Sequence, residues 1–194
     1  MSLLKIGLIW YVITLTIYGI LLNIFREYEI LSAIYHISLL FPLVLVVLKR
    51  EKLRDIGFRK GIFDESALIL ILGLPIMFFI SQIFIFEGTI SIVLGYSLFS
   101  SIIIASVTEE VFFRGFMQEK FYNTLNRKYL SIVIGAILFG LIHLPRLSIG
   151  MYSIEGFIVS FILGGLFGWV YSEGKTLMYP VVFHALWNLA MLIS

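Results

Sequence analysis

The chain contains no cysteine. A disulfide framework, a thiol nucleophile and thiolate-ligated zinc or iron–sulfur centres are therefore excluded. Charge is scarce: Asp, Glu, Lys and Arg supply 13% of the 194 residues, against about 25% in a soluble domain. The net charge is +2 and no long basic run exists, so nothing offers a phosphate backbone a continuous stripe and nucleic acid is not a partner. There is no internal repeat, low-complexity tract or second domain, and residues 1–194 read as one membrane-embedded unit. What is abundant is apolar surface. Hydrophobic residues make up 60% of the chain, and the mean hydropathy is +1.05. The class that remains is an all-α polytopic membrane protein.

Crossing about 30 Å of hydrocarbon takes about 20 apolar residues. Runs of that kind cover 3–25, 30–48, 67–86, 90–118, 129–144, 154–171 and 177–193. The first is too long for a signal-peptide core and lacks a small-residue cleavage site, so it reads as a retained span. The fourth is long enough to hold a re-entrant piece or a further crossing, which makes seven or eight spans. Its helical pattern continues to Leu125, and Pro145 closes the fifth span. With a cytoplasmic N-terminus, Lys5, Lys49, Arg50, Lys52, Arg54, Arg59, Lys60, Lys120, Arg127, Lys128 and Lys175 lie inside, and only Arg26 and Arg146 outside. That asymmetry sets the orientation. Segment 49–66 reads as a cytoplasmic interfacial loop. Small size and short loops point to a prokaryotic plasma membrane, with oligomeric state left open.

Ionisable groups inside spans are costly and tend to face a functional interior. The richest run is Ser-Val-Thr-Glu-Glu-Val-Phe-Phe-Arg-Gly at 106–115. Glu110 and Arg114 are four apart and share a helical face. Glu109 points about 100° away. On one reading Arg114 neutralises Glu110 and Glu109 is left for chemistry. On the other, all three form an ion network that only fixes helix packing. Asn126 lies midway between Glu109 and His143, so an antiparallel hairpin turning there puts both at one depth. His184 and Asn188 are again four apart on one face. His184 lies about 10 Å, and Glu109 about 14 Å, from the polar onset of its helix at 1.5 Å per residue. His36 has no acid or amide one turn away and is expected to pack. Gly164 with Gly168, and Ala136 with Gly140, are spaced for close helix approach. The aromatic residues are expected mostly at lipid or the interface.

Two chemistries use these groups. A carboxylate in a low-dielectric site gains proton affinity and suits a general base. The Asn188 amide and an imidazole can then donate to a developing oxyanion. In the other, Glu109, His143 and His184 ligate a catalytic zinc with an open position for water. Spacing alone decides for neither.

Glu109-Glu110-x-x-x-Arg114, Phe139-x-x-x-His143 and His184-x-x-x-Asn188 resemble the three motifs of the CPBP (Abi) family, and their order matches as well. That family comprises intramembrane CAAX-processing endopeptidases and bacteriocin-processing or immunity proteins. The run from Gly168 to His184 is similar to the family's approach to its last motif, and Leu53-Arg-Asp-Ile-Gly57 to its loop before the core. The resemblance covers about 50–194, with a protease-like core at 95–190. It implies an intramembrane endopeptidase acting on a membrane-associated peptide or protein, lipidated or not. In that reading Glu109 activates water with help from His143, and His184 and Asn188 bind the oxyanion. Glu110 and Arg114 orient the site, which faces the cytoplasmic side. The resemblance favours a glutamate mechanism with no cofactor; zinc is the alternative. A non-enzymatic adaptor or immunity protein of the same fold, in contact with membrane lipid, is the competing function, and a small proton-coupled transporter is a third.

Overall fold

The computed structural model describes residues 2–25, 28–48, 50–59 and 100–192, and all regular elements among them are helical. Helix α1 is Leu3–Phe25, α2 is Tyr28–Ser38 and α3 is Phe41–Val47. A 3-10 turn at Leu53–Ile56 follows. Helix α4, residues 100–125, is continuous but changes its winding. It is π-wound over Ser100–Ala105 and Val111–Gln118, and α-helical over Ser106–Glu110 and Glu119–Leu125. Then come α5 (Lys128–Leu141), the short α6 (Leu144–Ser148), α7 (Ile154–Gly174) and α8 (Met178–Leu192).

Among the described residues, three stretches are long and apolar enough to cross a membrane: Leu3–Phe25, Lys128–Ser148 and Ile154–Gly174. A fourth is the bent pair Ile30–Ser38 and Phe41–Val47. The expected span at 67–86 and the start of the fourth at 90–99 lie outside the described residues.

Two expected spans differ in detail. The second is not one straight helix, because α2 and α3 meet at 41°. Pro42 sits in the first turn of α3 and has no N–H to give the Ser38 carbonyl one turn earlier. The Trp10 indole N–H of α1 donates to that carbonyl instead, at 2.9 Å. In a lipid-embedded bundle a freed backbone group needs such a replacement. Nor does Pro145 close the fifth span. It falls in the first turn of α6, where a missing N–H costs nothing, and the apolar rod runs on to Ser148.

Helix α4 is the axis of the bundle. Every residue from Val111 to Gln118 is buried, and α1, α2, α3, α5, α7 and α8 all pack on it. Asn126, in the left-handed conformation at φ 51°, ends α4 and turns the chain into α5. The rings of Phe113 and Phe139, equidistant from Asn126 in sequence, meet edge to face at 5.5 Å. The antiparallel hairpin therefore has the register expected from the sequence.

Helix α7 lies close against this hairpin. A Cβ on Gly164 would stand 3.0 Å from the Ala136 Cα, and one on Gly140 2.4 Å from the Phe161 ring. The small-residue spacing thus permits backbone approach, as expected. The aromatic residues depart from expectation. Tyr11, Tyr18, Phe112, Phe113, Phe116, Phe139, Phe167 and Phe183 are buried together in one cluster. Three of them, Phe113, Phe139 and Phe167, present their rings to the buried guanidinium of Arg114.

The loop before the core is also not merely interfacial. Ile56 is fully buried, and the Gly57 carbonyl accepts the Leu177 N–H at 3.0 Å. Gly57 adopts φ 90°, a conformation that costs glycine little. Charged groups gather at this end. Lys120 pairs with Glu51 at 2.6 Å, Lys128 with Glu173 at 2.6 Å, and Arg59 with Glu119. Gly7 of α1 packs against Phe116 and Met117 of α4, so the start of α1 lies at the same end.

Candidate active site

The site is built on the short α-helical turn Ser106–Glu110 between the two π-wound stretches of α4. A π-bulge inside a helix often marks functional positions. Glu110, Arg114 and Gln118 lie four apart on the face toward α7. The Arg114 Nη2 donates to the Gly164 carbonyl at 3.1 Å, and the Gln118 amide to the Gly168 carbonyl at 2.9 Å. The repeat of four on α4 thus meets the same repeat on α7, and glycines there let the donors reach backbone.

The two glutamates have different surroundings. Glu110 is wholly buried and lies 3.1 Å from the Arg114 Nε. That contact is a close charge pair rather than an aligned hydrogen bond, since Glu110 Oε2 and Arg114 Nη1 have no hydrogen-bond partner among the described residues. The guanidinium is covered by rings, 4.3 Å from the Phe139 centroid and 5.4 Å from that of Phe167. Aromatic faces stabilise a desolvated cation. The other Glu110 oxygen, Oε1, accepts from the His184 Nδ1 at 2.9 Å. A carboxylate partner assigns the proton to Nδ1 and turns Nε2 toward Glu109, whose Oε2 is 3.9 Å away.

Glu109 is 5% exposed and, among the described residues, makes no charge-neutralising contact as close as that of Glu110. Its Oε2 faces His184, and its Oε1 faces the Nδ1 of His36 at 3.8 Å. The carboxylate is bracketed by two imidazoles. His36 comes from α2 and also meets the Thr108 hydroxyl at 3.2 Å.

Of the residues expected from the sequence, Glu109, Glu110, Arg114 and His184 come together directly. Asn188 lies one turn beyond His184 on α8, and its amide donates to the Ser106 hydroxyl at 3.3 Å. His143 sits at the junction of α5 and α6 and makes no hydrogen bond or ion pair with Glu109. Its ring stacks on Tyr152 at 5.0 Å and meets Phe139 at 5.8 Å; Phe139 in turn meets His184 at 5.7 Å. His143 is thus one ring removed from the cluster. Among the described residues, no three His, Asp or Glu side chains are arranged to hold one metal ion.

His36 is the residue that sequence reasoning placed elsewhere. It was expected to pack because its own helix offers no acid or amide one turn away. Its carboxylate neighbour arrives from α4, far along the chain. The usable signal was its being an ionisable residue in an apolar span.

A bundle of apolar helices that encloses two carboxylates, an arginine and imidazoles belongs to an integral membrane protein with a built polar centre. The sequence model of the family described as Type II CAAX prenyl endopeptidase Rce1-like matches residues 91–190, more than half of the chain, and the chain belongs to that family. The matched segment holds Glu109, Glu110, Arg114, His143, His184 and Asn188; His36 lies before it. No curated protein and no solved structure matches the chain. The family is one of proteases, so the activity class is that of a membrane endopeptidase acting on a peptide or protein.

Proposed function

We propose that this protein hydrolyses a peptide bond of a membrane-associated or lipidated substrate, with Glu109 activating the water and no cofactor. The observation that carries the reading is the division of labour between adjacent glutamates. Glu110 lies against Arg114 and fixes His184, whereas Glu109 carries no such tether among the described residues and faces imidazoles on both oxygens. A tethered carboxylate orients; an untethered one in a water-poor site is suited to take a proton.

In the proposed sequence Glu109 removes a proton from water as the oxygen attacks the scissile carbonyl carbon. The developing oxyanion accepts from the Asn188 amide and from His184. Glu109 then returns the proton to the leaving amine, and the carbon–nitrogen bond breaks. His143, one ring away, assists through the water or the substrate backbone rather than through Glu109 itself. The site lies toward the cytoplasmic side of a bundle of seven or eight spans with its N-terminus inside. Supporting that orientation, Lys120, Lys128 and Arg59 gather at the end where α1 begins.

The test is cleavage of a quenched fluorogenic peptide ending in a prenylated Cys-Ala-Ala-Xaa sequence, by purified protein in detergent. Glu109→Gln should lose at least about 10³-fold in kcat/KM while its thermal unfolding stays within a few degrees of wild type. Full activity in that variant would refute the base assignment. Activity that is lost after verified metal removal and restored by zinc would replace the water-activating carboxylate with a metal. A folded wild type that binds the peptide without cutting it would favour the adaptor reading.

A further inference from the structure

Resting on the reading of Glu109 as the base, we infer that His36 is a positioning residue for that carboxylate, supplied by a helix that precedes the matched protease segment. The contact is specific in its atoms. His36 Nδ1 stands 3.8 Å from Glu109 Oε1, whereas His184 Nε2 stands 3.9 Å from Oε2. The two imidazoles approach opposite oxygens of one carboxylate, from α2 and from α8.

His36 is itself held. It is 6% exposed, its ring lies edge-on to Tyr35 at 5.3 Å, and its Nδ1 meets the Thr108 hydroxyl at 3.2 Å. That hydroxyl also reaches the Ala105 carbonyl at 3.3 Å. When Thr108 donates to Ala105, its oxygen accepts from the Nδ1–H of His36. The proton-bearing nitrogen then lies beside Glu109. Thr108 adjoins Glu109 in sequence, so one short turn of α4 carries both the base and the hydroxyl that aims its neighbour. Carboxylate rotation is the motion this arrangement limits. A base that must meet a water in a narrow range of geometry loses about 10- to 100-fold in rate when misplaced by about 1 Å.

The helix that bears His36 has a reason to hold that position. The kink at Leu39–Leu40 follows it directly, and the Trp10 indole fixes the Ser38 carbonyl at 2.9 Å. The segment at Glu109's Oε1 is therefore anchored from both sides, by α1 and by α4.

Three variants test the inference against Glu109→Gln as a control, using the prenylated fluorogenic peptide. Asn keeps a hydrogen-bonding atom close to the imidazole Nδ1, Gln places one near Nε2, and Phe keeps only the ring. His36→Phe should lower kcat about 10- to 100-fold with KM within about threefold. His36→Asn should recover most of that loss, and His36→Gln should not. A fall confined to KM, or equal activity in the Asn and Gln variants, would overturn the inference. If Phe at this position prevents folding, the Asn and Gln pair still decides. Loss of activity in Glu109→Gln with no kcat effect in any His36 variant would sink the role of His36 and leave the base assignment standing. Full activity in Glu109→Gln would remove the base assignment and this inference with it.

Discussion

Replacing Arg114 by leucine isolates the energetics on which the site depends. The guanidinium is 1% exposed and lies 3.1 Å from the carboxylate of the wholly buried Glu110. At that separation two unit charges attract by about 5 kcal/mol with an effective dielectric of about 20. Removing one partner leaves the other charge buried without its counter-ion, which costs about 3–5 kcal/mol in proteins. Arg114→Leu also abandons the Gly164 carbonyl at 3.1 Å, about 1 kcal/mol more. Glu110→Gln alone should cost a similar amount, since it strands the cation among the Phe113, Phe139 and Phe167 rings. The double variant strands neither charge, and Gln keeps an acceptor for the His184 Nδ1. It should therefore be more stable than the sum of the singles predicts by at least about 2 kcal/mol. The assay is equilibrium unfolding in mixed micelles, followed by tryptophan fluorescence. Strict additivity of the two single effects would refute the reasoning, because it would mean that the pair is not energetically coupled.

Gly115→Ala should lower Tm and expose segment 50–59 to a soluble protease. Its Cβ would stand 2.2 Å from the Ile56 carbonyl oxygen and 3.0 Å from the carbonyl carbon, and such overpacking costs about 1–3 kcal/mol; an unchanged cleavage pattern and Tm would contradict the docking of that loop. Asn188→Leu should reduce kcat about 10²-fold with little change in KM, the signature of a lost oxyanion donor. Ser106→Ala removes only the hydroxyl that the amide meets at 3.3 Å, and should keep most of the activity. If the two variants fall equally, Asn188 acts through Ser106 rather than on the oxyanion.

The parts of the fold that could be read from the sequence are those set by short spacings. Glu110 and Arg114 share a face because four residues make about one helical turn, and the 3.1 Å contact follows locally. His184 with Asn188, and the hairpin about Asn126, obey the same geometry. The apolar rods α1, α5 and α7 were visible as unbroken runs. The bend between α2 and α3 stayed hidden within the 30–48 run, because the donor that stabilises it, Trp10, lies on another helix. The docking of Ile56 and Gly57 had no local signal beyond a glycine. Its cause is the missing side chain at Gly115, on which the Ile56 carbonyl rests.

By itself, the sequence determined the membrane class, the uneven spread of its positive charges among the loops and the pairing of the buried arginine with one glutamate. Each depends on composition or on contacts within a turn, where periodicity leaves little freedom. Only the tertiary structure decided which glutamate is tethered from two sides, that the rings of Phe113, Phe139 and Phe167 face a buried cation, and that His36 meets Glu109. Those outcomes depend on which helix faces are brought together, and an interhelical contact leaves no periodic trace along either strand of sequence. The scarcity of charge marked where to look; packing around α4 assigned each charge its neighbour.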